Sequence, residues 1–290
     1  MNCDCLSYIG KSHNLCEDAV RCGITQDGIA FGIVADGCSS STDSHFGSSL
    51  LTAFSSKLIS DSSKRLFFYR DALDLDNFFI HSVLSNAEYA RISMGLIEEC
   101  LDTTLLVVLA DKHRNKINCA VYGDGFIILG RKDGLIDIIQ LSYISGYPFF
   151  PNYYNNYTRY KSWLSENDEV NISTYSMLPD GTVICEKNTD IGCFIKEKNV
   201  FNFTDNLDKY NFVAISSDGL DSFEKIELTN TSRTPVEVSF TDVLTRLLPF
   251  KNFRGPFVKR RLQTFIKKTS KDNWYHIDDI SLTAINLIDS

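Results

Sequence analysis

The sequence predicts an α+β fold built in layers, and two observations carry that reading. Strand-like and helical segments come in blocks (strands, helices, strands, helices, strand), where a doubly wound fold would alternate them singly. The central strand-like runs are joined by turns of a few residues, which suit an antiparallel meander and are too short for crossover helices. With 290 residues, 43% hydrophobic and 23% charged, the chain can bury a sizeable core. No composition shift marks a linker and no segment repeats at a fixed period, so residues 1–290 are expected to form one domain.

The first element is Ile29–Ala35, a β-rich run behind a Gln26–Gly28 hairpin signal. Ser44–Ser60 reads as a helix: Phe46, Leu50, Leu51, Phe54, Leu58 and Ile59 recur at helical spacing behind capping residues at Thr42–Ser44. A longer amphipathic pattern covers Asp74–Cys100. Strands return as Thr104–Ala110, Ile117–Gly123, Phe126–Arg131 and Leu135–Gln140, separated by polar or glycine-containing turns. From Leu141 to Asp205 the pattern is irregular, and the tract YPFFPNYYNNYTRY at Tyr147–Tyr160 reads as a long ordered loop, an insertion or a flap. Asn211–Ser216 is another strand, Val236–Leu248 and Phe257–Lys268 are helical, and Ile280–Ile288 closes the chain as a strand.

Composition narrows the function classes. No apolar run is long enough to cross a bilayer, and MNCDCLSYIGK lacks the basic-then-apolar order of a secretory signal, so a cytoplasmic protein without a membrane partner is expected. A net charge of −8 disfavours nucleic acid as a partner. The nine cysteines contain no CxxC pair and are expected to be reduced and packed as small hydrophobes. His45, His81, His113 and His276 form no HxH or HExxH pattern, which removes support for zinc hydrolase chemistry.

The carboxylates carry the chemistry. Asp-Gly occurs six times, and in three cases (TQDGIA, RKDGLI, LPDGTV) a polar residue or proline precedes the acid, as in a hairpin turn. The other three, FGIVADG at Asp36, CAVYGDG at Asp124 and VAISSDG at Asp218, place the acid directly after a mainly apolar strand. Asp278 and Asp279 open the last strand, whose beginning would meet the other strands' ends in an antiparallel arrangement, and Glu17–Asp18 adds a further acidic pair. Like charges gathered at one place raise each other's pKa and call for a compensating cation, which for hard oxygen ligands means Mg2+ or Mn2+. Taken singly, each acid also reads as a solvated turn residue.

In this order the motifs resemble the protein phosphatase 2C family of metal-dependent serine/threonine phosphatases, over almost the whole chain. GKSHNLCEDA (Gly10–Ala19) resembles the early segment ending in Glu-Asp or Gln-Asp, VADGCSS the Asp-Gly-x-Gly-Gly or Asp-Gly-x-Gly-Ser motif, and LDTTLLVVLA the Gly-Thr-Thr strand. VYGDGFIILGR, SSDGL and DDISLTAI resemble the Gly-Asp-Ser strand, the Ser-Asp-Gly-Leu motif and the closing Asp-Asn/Asp-x-Thr strand of that family, with GKSH pointing to its bacterial-type branch. The resemblance implies a four-layer α/β/β/α sandwich, two mainly antiparallel sheets flanked by helix pairs. It implies two Mn2+ or Mg2+ ions, with Asp36 bridging them, the Gly37 carbonyl on one, Asp218 and Asp278 on the other, and a third, weaker position near Asp124. Glu17 and Asp18 match acids that hold metal-associated water, and Asp36, Asp218 and Asp278 the catalytic set. The substrate implied is a phosphoserine or phosphothreonine protein.

The chain departs from the family pattern at several positions. Cys38 stands where a histidine or methionine is usual, Ser39 where a glycine is, and Gly125 where Gly-Asp-Ser has its serine. The usual phosphate-gripping arginine is absent before Glu17, leaving Lys11 and His13 as candidates for that role, and Asp279 has no role assigned by the motif. These departures keep a second reading open, a phosphatase-like regulatory module that binds without turnover.

Overall fold

The computed structural model describes residues 1–66, 71–166, 170–187, 192–195, 199–228 and 233–288. Two antiparallel sheets face each other. The first has the order β1 (Asn2–Tyr8), β16 (Ile280–Asn286), β12 (Tyr210–Ser216), β6 (Gly125–Arg131), β7 (Ile136–Tyr143), β8 (Val170–Met177) and β9 (Val183–Lys187). The second runs β10 (Cys193–Ile195), β11 (Val200–Asn206), β5 (Lys116–Tyr122), β4 (Leu105–Asp111), β3 (Ala30–Ala35) and β2 (Ala19–Ile24). A small sheet, β14 (Arg233–Glu237), β13 (Phe223–Leu228) and β15 (Trp274–His276), flanks them.

Alternation along each strand builds three apolar layers. Ile127, Leu129, Val213, Ile215 and Ile285 meet Val34, Leu106, Val108 and Val121 between the sheets. The opposite face of the first sheet, with Phe126, Ile128, Ala214 and Leu282, is covered by α4 (Phe240–Leu247) and α5 (Phe257–Thr269) through Val243, Leu247, Val258, Leu262 and Phe265. The opposite face of the second, with Phe31, Ile33, Leu105 and Val107, is covered by α1 (Ser44–Leu66) and α2 (Asp71–Met94) through Leu51, Ile59, Phe79, Val83 and Leu84. Central strands are therefore buried on both faces, which is why runs such as TLLVVLA and FIILG read as continuous apolar stretches. The layer order is α/β/β/α, as the motifs implied.

Some boundaries and elements differ from the sequence reading. The second helix stops at Met94, where Gly95 takes a left-handed φ of 72°, and Glu98–Leu101 is a separate 3-10 turn. Val236 and Glu237 belong to edge strand β14, whose Pro235 suits an edge, and the helix begins only at Phe240. Half-exposed β1 and β2 are two further strands that the sequence reading does not include. Within 141–205, parts of which lie outside the described residues, the tyrosine-rich tract folds into a 3-10 turn at Pro151–Asn155 and α3 (Tyr157–Glu166) around Tyr143, Phe149 and Trp163. Of the described cysteines only Cys100 and Cys119 are buried, so packing as small hydrophobes holds for few of them. No described helix is long and apolar enough to cross a membrane.

Candidate active site

Antiparallel pairing brings the carboxylates together. Strands β3 and β12 end at one edge, where Asp36 and Asp218 follow Ala35 and Ser216–Ser217, and β16 starts there behind Asp278–Asp279. A cleft of about 140 Å3 at this edge is lined by Asp36, Gly37, Cys38, Ser39, Asp124, Asp218 and Asp278, with Pro148 and Phe150 forming an apolar wall. A larger cleft of about 720 Å3 beside Arg131, Asp205 and Lys209 lacks this character. Its charges are matched, Arg131 with Asp133 at 2.8 Å and Lys209 with Asp205 at 2.7 Å.

Asp36 is fixed by its main chain. Its N–H donates to Thr104 Oγ1 (3.1 Å) and its carbonyl accepts from the Thr104 N–H (2.8 Å), so the threonine ahead of β4 clamps the acid at the end of β3. Gly37 bridges to Thr103, and the Cys38 N–H donates to the Asp102 carbonyl (2.9 Å), extending the clamp along the loop. Asp18 is buried beside Asp36 and accepts a hydrogen bond from Ser217 Oγ (2.8 Å). Glu17 lies against the start of α1: Ser44 Oγ donates to its carboxylate (3.1 Å) and Ser48 Oγ to its carbonyl. Gly219 lets the Asp218 turn touch the start of β16, because a β-carbon there would stand 1.8 Å from the Asp279 carbonyl oxygen.

The two acids of the closing pair do different things. Asp278 opens onto the cleft, whereas Asp279 is buried and accepts hydrogen bonds from the main-chain N–H groups of Gly10 (2.6 Å) and Glu17 (2.5 Å). Asp279 thus ties the Gly10–Glu17 loop to the last strand. His13 bridges the same groups, with Nδ1 3.2 Å from Asp279 and Nε2 3.6 Å from Asp278 and 3.8 Å from Glu17. Lys11 does not join them; its ammonium lies 3.8 Å from the centre of the Tyr275 ring. Cys38 Sγ lies 3.1 Å from Ser40 Oγ at the exposed rim. The motifs gave no role to Thr104, Asp102 or Arg159, although the Thr104 hydroxyl in LDTT was a visible signal.

Charge is left uncompensated here. Burial first, and then Asp18, Asp218 and Asp278, push the Asp36 pKa well above the usual carboxylate range. Burial with Asp218 does the same to Asp124, burial pushes Asp18 up to about 8, and burial with Asp218 brings Asp278 to about 6. Burial pulls His13 down, but Asp279, Asp278 and Glu17 outweigh it and hold its pKa above the ordinary value. Asp18 Oδ1, Asp218 Oδ1 and Glu17 Oε2 are buried without a hydrogen-bond partner. Among the described residues no three His, Cys, Asp or Glu side chains stand in a ready-made ligand cage. The unsatisfied oxygens and their mutual repulsion nonetheless fit a divalent cation, the hard charge that acid clusters otherwise lack.

A profile of the protein phosphatase 2C family matches residues 9–267. The chain belongs to this family. It thereby joins a group of protein serine/threonine phosphatases that depend in general on manganese or magnesium. Its fold is that of a bacterial serine phosphatase bearing an arginine-to-glutamate substitution, at TM-score 0.55 and 12% identity, covering 100% of this chain and 99% of the other. The serine/threonine phosphatase Stp1 from Staphylococcus aureus is similar at TM-score 0.51 and 13% identity, covering 99% and 95%. A sex determining protein of C. elegans is similar at TM-score 0.53 and 14% identity, covering 99% of this chain and 65% of that one. No curated protein sequence matches. At such identities the solved structures speak for the fold, and the family match for the class of enzyme.

Proposed function

We propose that this family member is an active phosphatase that hydrolyses phosphoserine and phosphothreonine in proteins at a binuclear Mn2+ or Mg2+ centre. The observation that carries this reading is the cluster of Asp18, Asp36, Asp124, Asp218 and Asp278: burial and neighbouring carboxylates raise the pKa of Asp18, Asp36, Asp124 and Asp278, and His13 stands beside Asp278. Asp36, the Gly37 carbonyl, Asp218 and Asp278 would hold the two ions, with Glu17 and Asp18 behind them through water and Asp124 at a weaker third position. Bound there, hard cations neutralise phosphate charge and acidify water.

The chain's own groups do the positioning. Thr104 holds Asp36 at the cleft floor, Asp279 fixes the loop that carries Glu17, and Gly219 keeps the Asp218 turn against the last strand. Pro148 and Phe150 wall the cleft and exclude water from one side. His13, held beside Asp278 and Glu17, is the cation nearest the cleft acids and the better candidate than Lys11 to meet an anionic substrate. In this reading residues 1–290 work as one cytoplasmic phosphatase domain, with the 141–205 segment as a substrate-selecting flap.

A second reading, a module that binds a phosphoprotein without turnover, rests on Cys38, Ser39 and Gly125. Gly125 has a specific structural cause: its φ is +128° and a β-carbon would stand 2.6 Å from the Ser216 carbonyl oxygen, so this backbone requires glycine. Purified protein with Mn2+ should release nitrophenol from nitrophenyl phosphate and phosphate from phosphothreonyl peptides, and Asp36→Ala and Asp218→Ala should abolish both. Mn2+ binding with no hydrolysis of any of these substrates would favour the second reading.

A further inference from the structure

Three thiols away from the acidic cleft converge at the open side of the sandwich. Strands β1 and β2 are the outer strands of their sheets and pack on one another there. The register explains the convergence. Cys5 pairs with Thr283 in one sheet and Cys22 with Gly32 in the other. Thr283 packs onto Gly32 across the sandwich, its side chain 2.7 Å from where a β-carbon would stand. One strand further out, the same row sets Cys5 opposite Cys22, and Cys3 lies two residues before Cys5 on the same face of β1. Cys3 and Cys5 thus share the inner face of β1 across from Cys22 on β2, and all three are free and half-exposed.

We propose that these residues form an oxidisable site in which hydrogen peroxide converts Cys3 and Cys22 into a disulfide that staples the two sheets, with Cys5 as the flanking thiol. The Cys3 thiolate attacks one peroxide oxygen; the O–O bond breaks, Cys3 becomes a sulfenic acid, and the departing hydroxide takes up a proton as water. The Cys22 sulfur then attacks the Cys3 sulfur; an S–S bond forms, the S–O bond breaks, and a second water leaves with the Cys22 proton. The two sulfurs lose two electrons and the peroxide gains them.

Chemistry at the three positions differs in the required sense. A hydrogen bond from Cys22 outweighs burial at Cys3 and holds its pKa below the ordinary thiol value. Donation to Cys3 pushes Cys22 up to about 12, and the Cys22 contact with burial pushes Cys5 up as well. Burial pushes the Cys16 thiol pKa up to about 12 and that of Cys100 up to about 11, so these thiols are poorer nucleophiles. The bond would close Asp4–Arg21 into a loop, and that loop carries His13, Glu17 and Asp18.

The test is made on the full-length reduced protein, treated with hydrogen peroxide, alkylated, and analysed as intact mass and as peptides. The expected product is about 2 Da lighter than the reduced chain before alkylation, joins the Cys3 and Cys22 peptides, leaves Cys5 alkylated, and reverts with dithiothreitol. In Cys22→Ser the disulfide should be absent and a dimedone-trapped sulfenic acid should accumulate on Cys3. All three thiols remaining alkylatable in the wild type after peroxide would overturn the proposal, as would any other linkage, including Cys5 to Cys22 or one between two chains.

Discussion

Arg159 holds Asp102 in a two-pronged grip, Nη1 on Oδ1 at 3.0 Å and Nη2 on Oδ2 at 2.6 Å. Asp102 is buried, and its carbonyl receives the Cys38 N–H, so α3 of the tyrosine-rich segment is tied to the cleft loop. Truncating the arginine leaves a buried carboxylate whose side-chain partners among the described residues are Asn152 and Ser41. Arg159→Ala is therefore expected to lower unfolding free energy in urea by about 2–4 kcal/mol. Arg159→Lys should recover less than half of that, since an ammonium cannot match the fork. In a double-mutant cycle the Arg159→Ala and Asp102→Ala losses should be far from additive; additivity would show that the grip contributes nothing.

The closing acidic pair should split cleanly between activity and stability. Asp278→Ala removes a cleft carboxylate and should cut metal-dependent phosphatase activity by about 100-fold or more with little change in melting temperature. Asp279→Ala strips the acceptor from the Gly10 and Glu17 N–H groups and the charge facing His13, and should cost about 3 kcal/mol or more of stability. Equal thermal stability of the two variants would refute this division.

That division was only half legible in the sequence. Apolar runs such as TLLVVLA announced the central strands because both faces of each sheet are buried, and the acids after those runs could be read as sharing one sheet edge. Within Asp278–Asp279 the motif named the cleft-facing acid, while the structural role of Asp279 depends on a loop more than two hundred and fifty residues away in sequence and had no local signal. Arg159 was invisible for the same reason: a single arginine in an irregular aromatic tract gains meaning only when α3 meets Asp102. The half-exposed strands β1 and β2 are absent from the sequence reading, yet they bring together the three thiols.

Gly219 tests how the site is assembled. Its Cα–H faces the Asp279 carbonyl so closely that a methyl group would stand 1.8 Å from the oxygen, and both groups are main chain, so neither can rotate away. Gly219→Ala should push the Asp218 turn off β16, costing about 3 kcal/mol or more and weakening Mn2+ binding in isothermal calorimetry. Wild-type affinity in this variant would mean that Asp218 need not be held against the last strand.

The last prediction concerns pH. Asp18, Asp36, Asp124 and Asp278 all have pKa values raised in the folded chain above the ordinary 3.8, Asp278 to about 6 and Asp18 to about 8. Between those limits the folded state binds more protons than the unfolded state, so each group takes stability away as pH rises through the window. Below about pH 4 both states are protonated and the penalty vanishes. Metal-free protein should therefore melt lower at about pH 8 than at about pH 5, by roughly 5 °C. A divalent cation binds the ionised acids in competition with protons, so Mn2+ should raise the melting temperature more at the higher pH. Asp36→Asn removes one of the repelling charges, and its metal-free form should melt above the wild type at the higher pH while losing most of the Mn2+ response. Differential scanning calorimetry of both proteins with chelator and with Mn2+ decides the matter: a metal-free melting temperature that climbs from about pH 5 to about pH 8 would mean that the cluster is not repulsive.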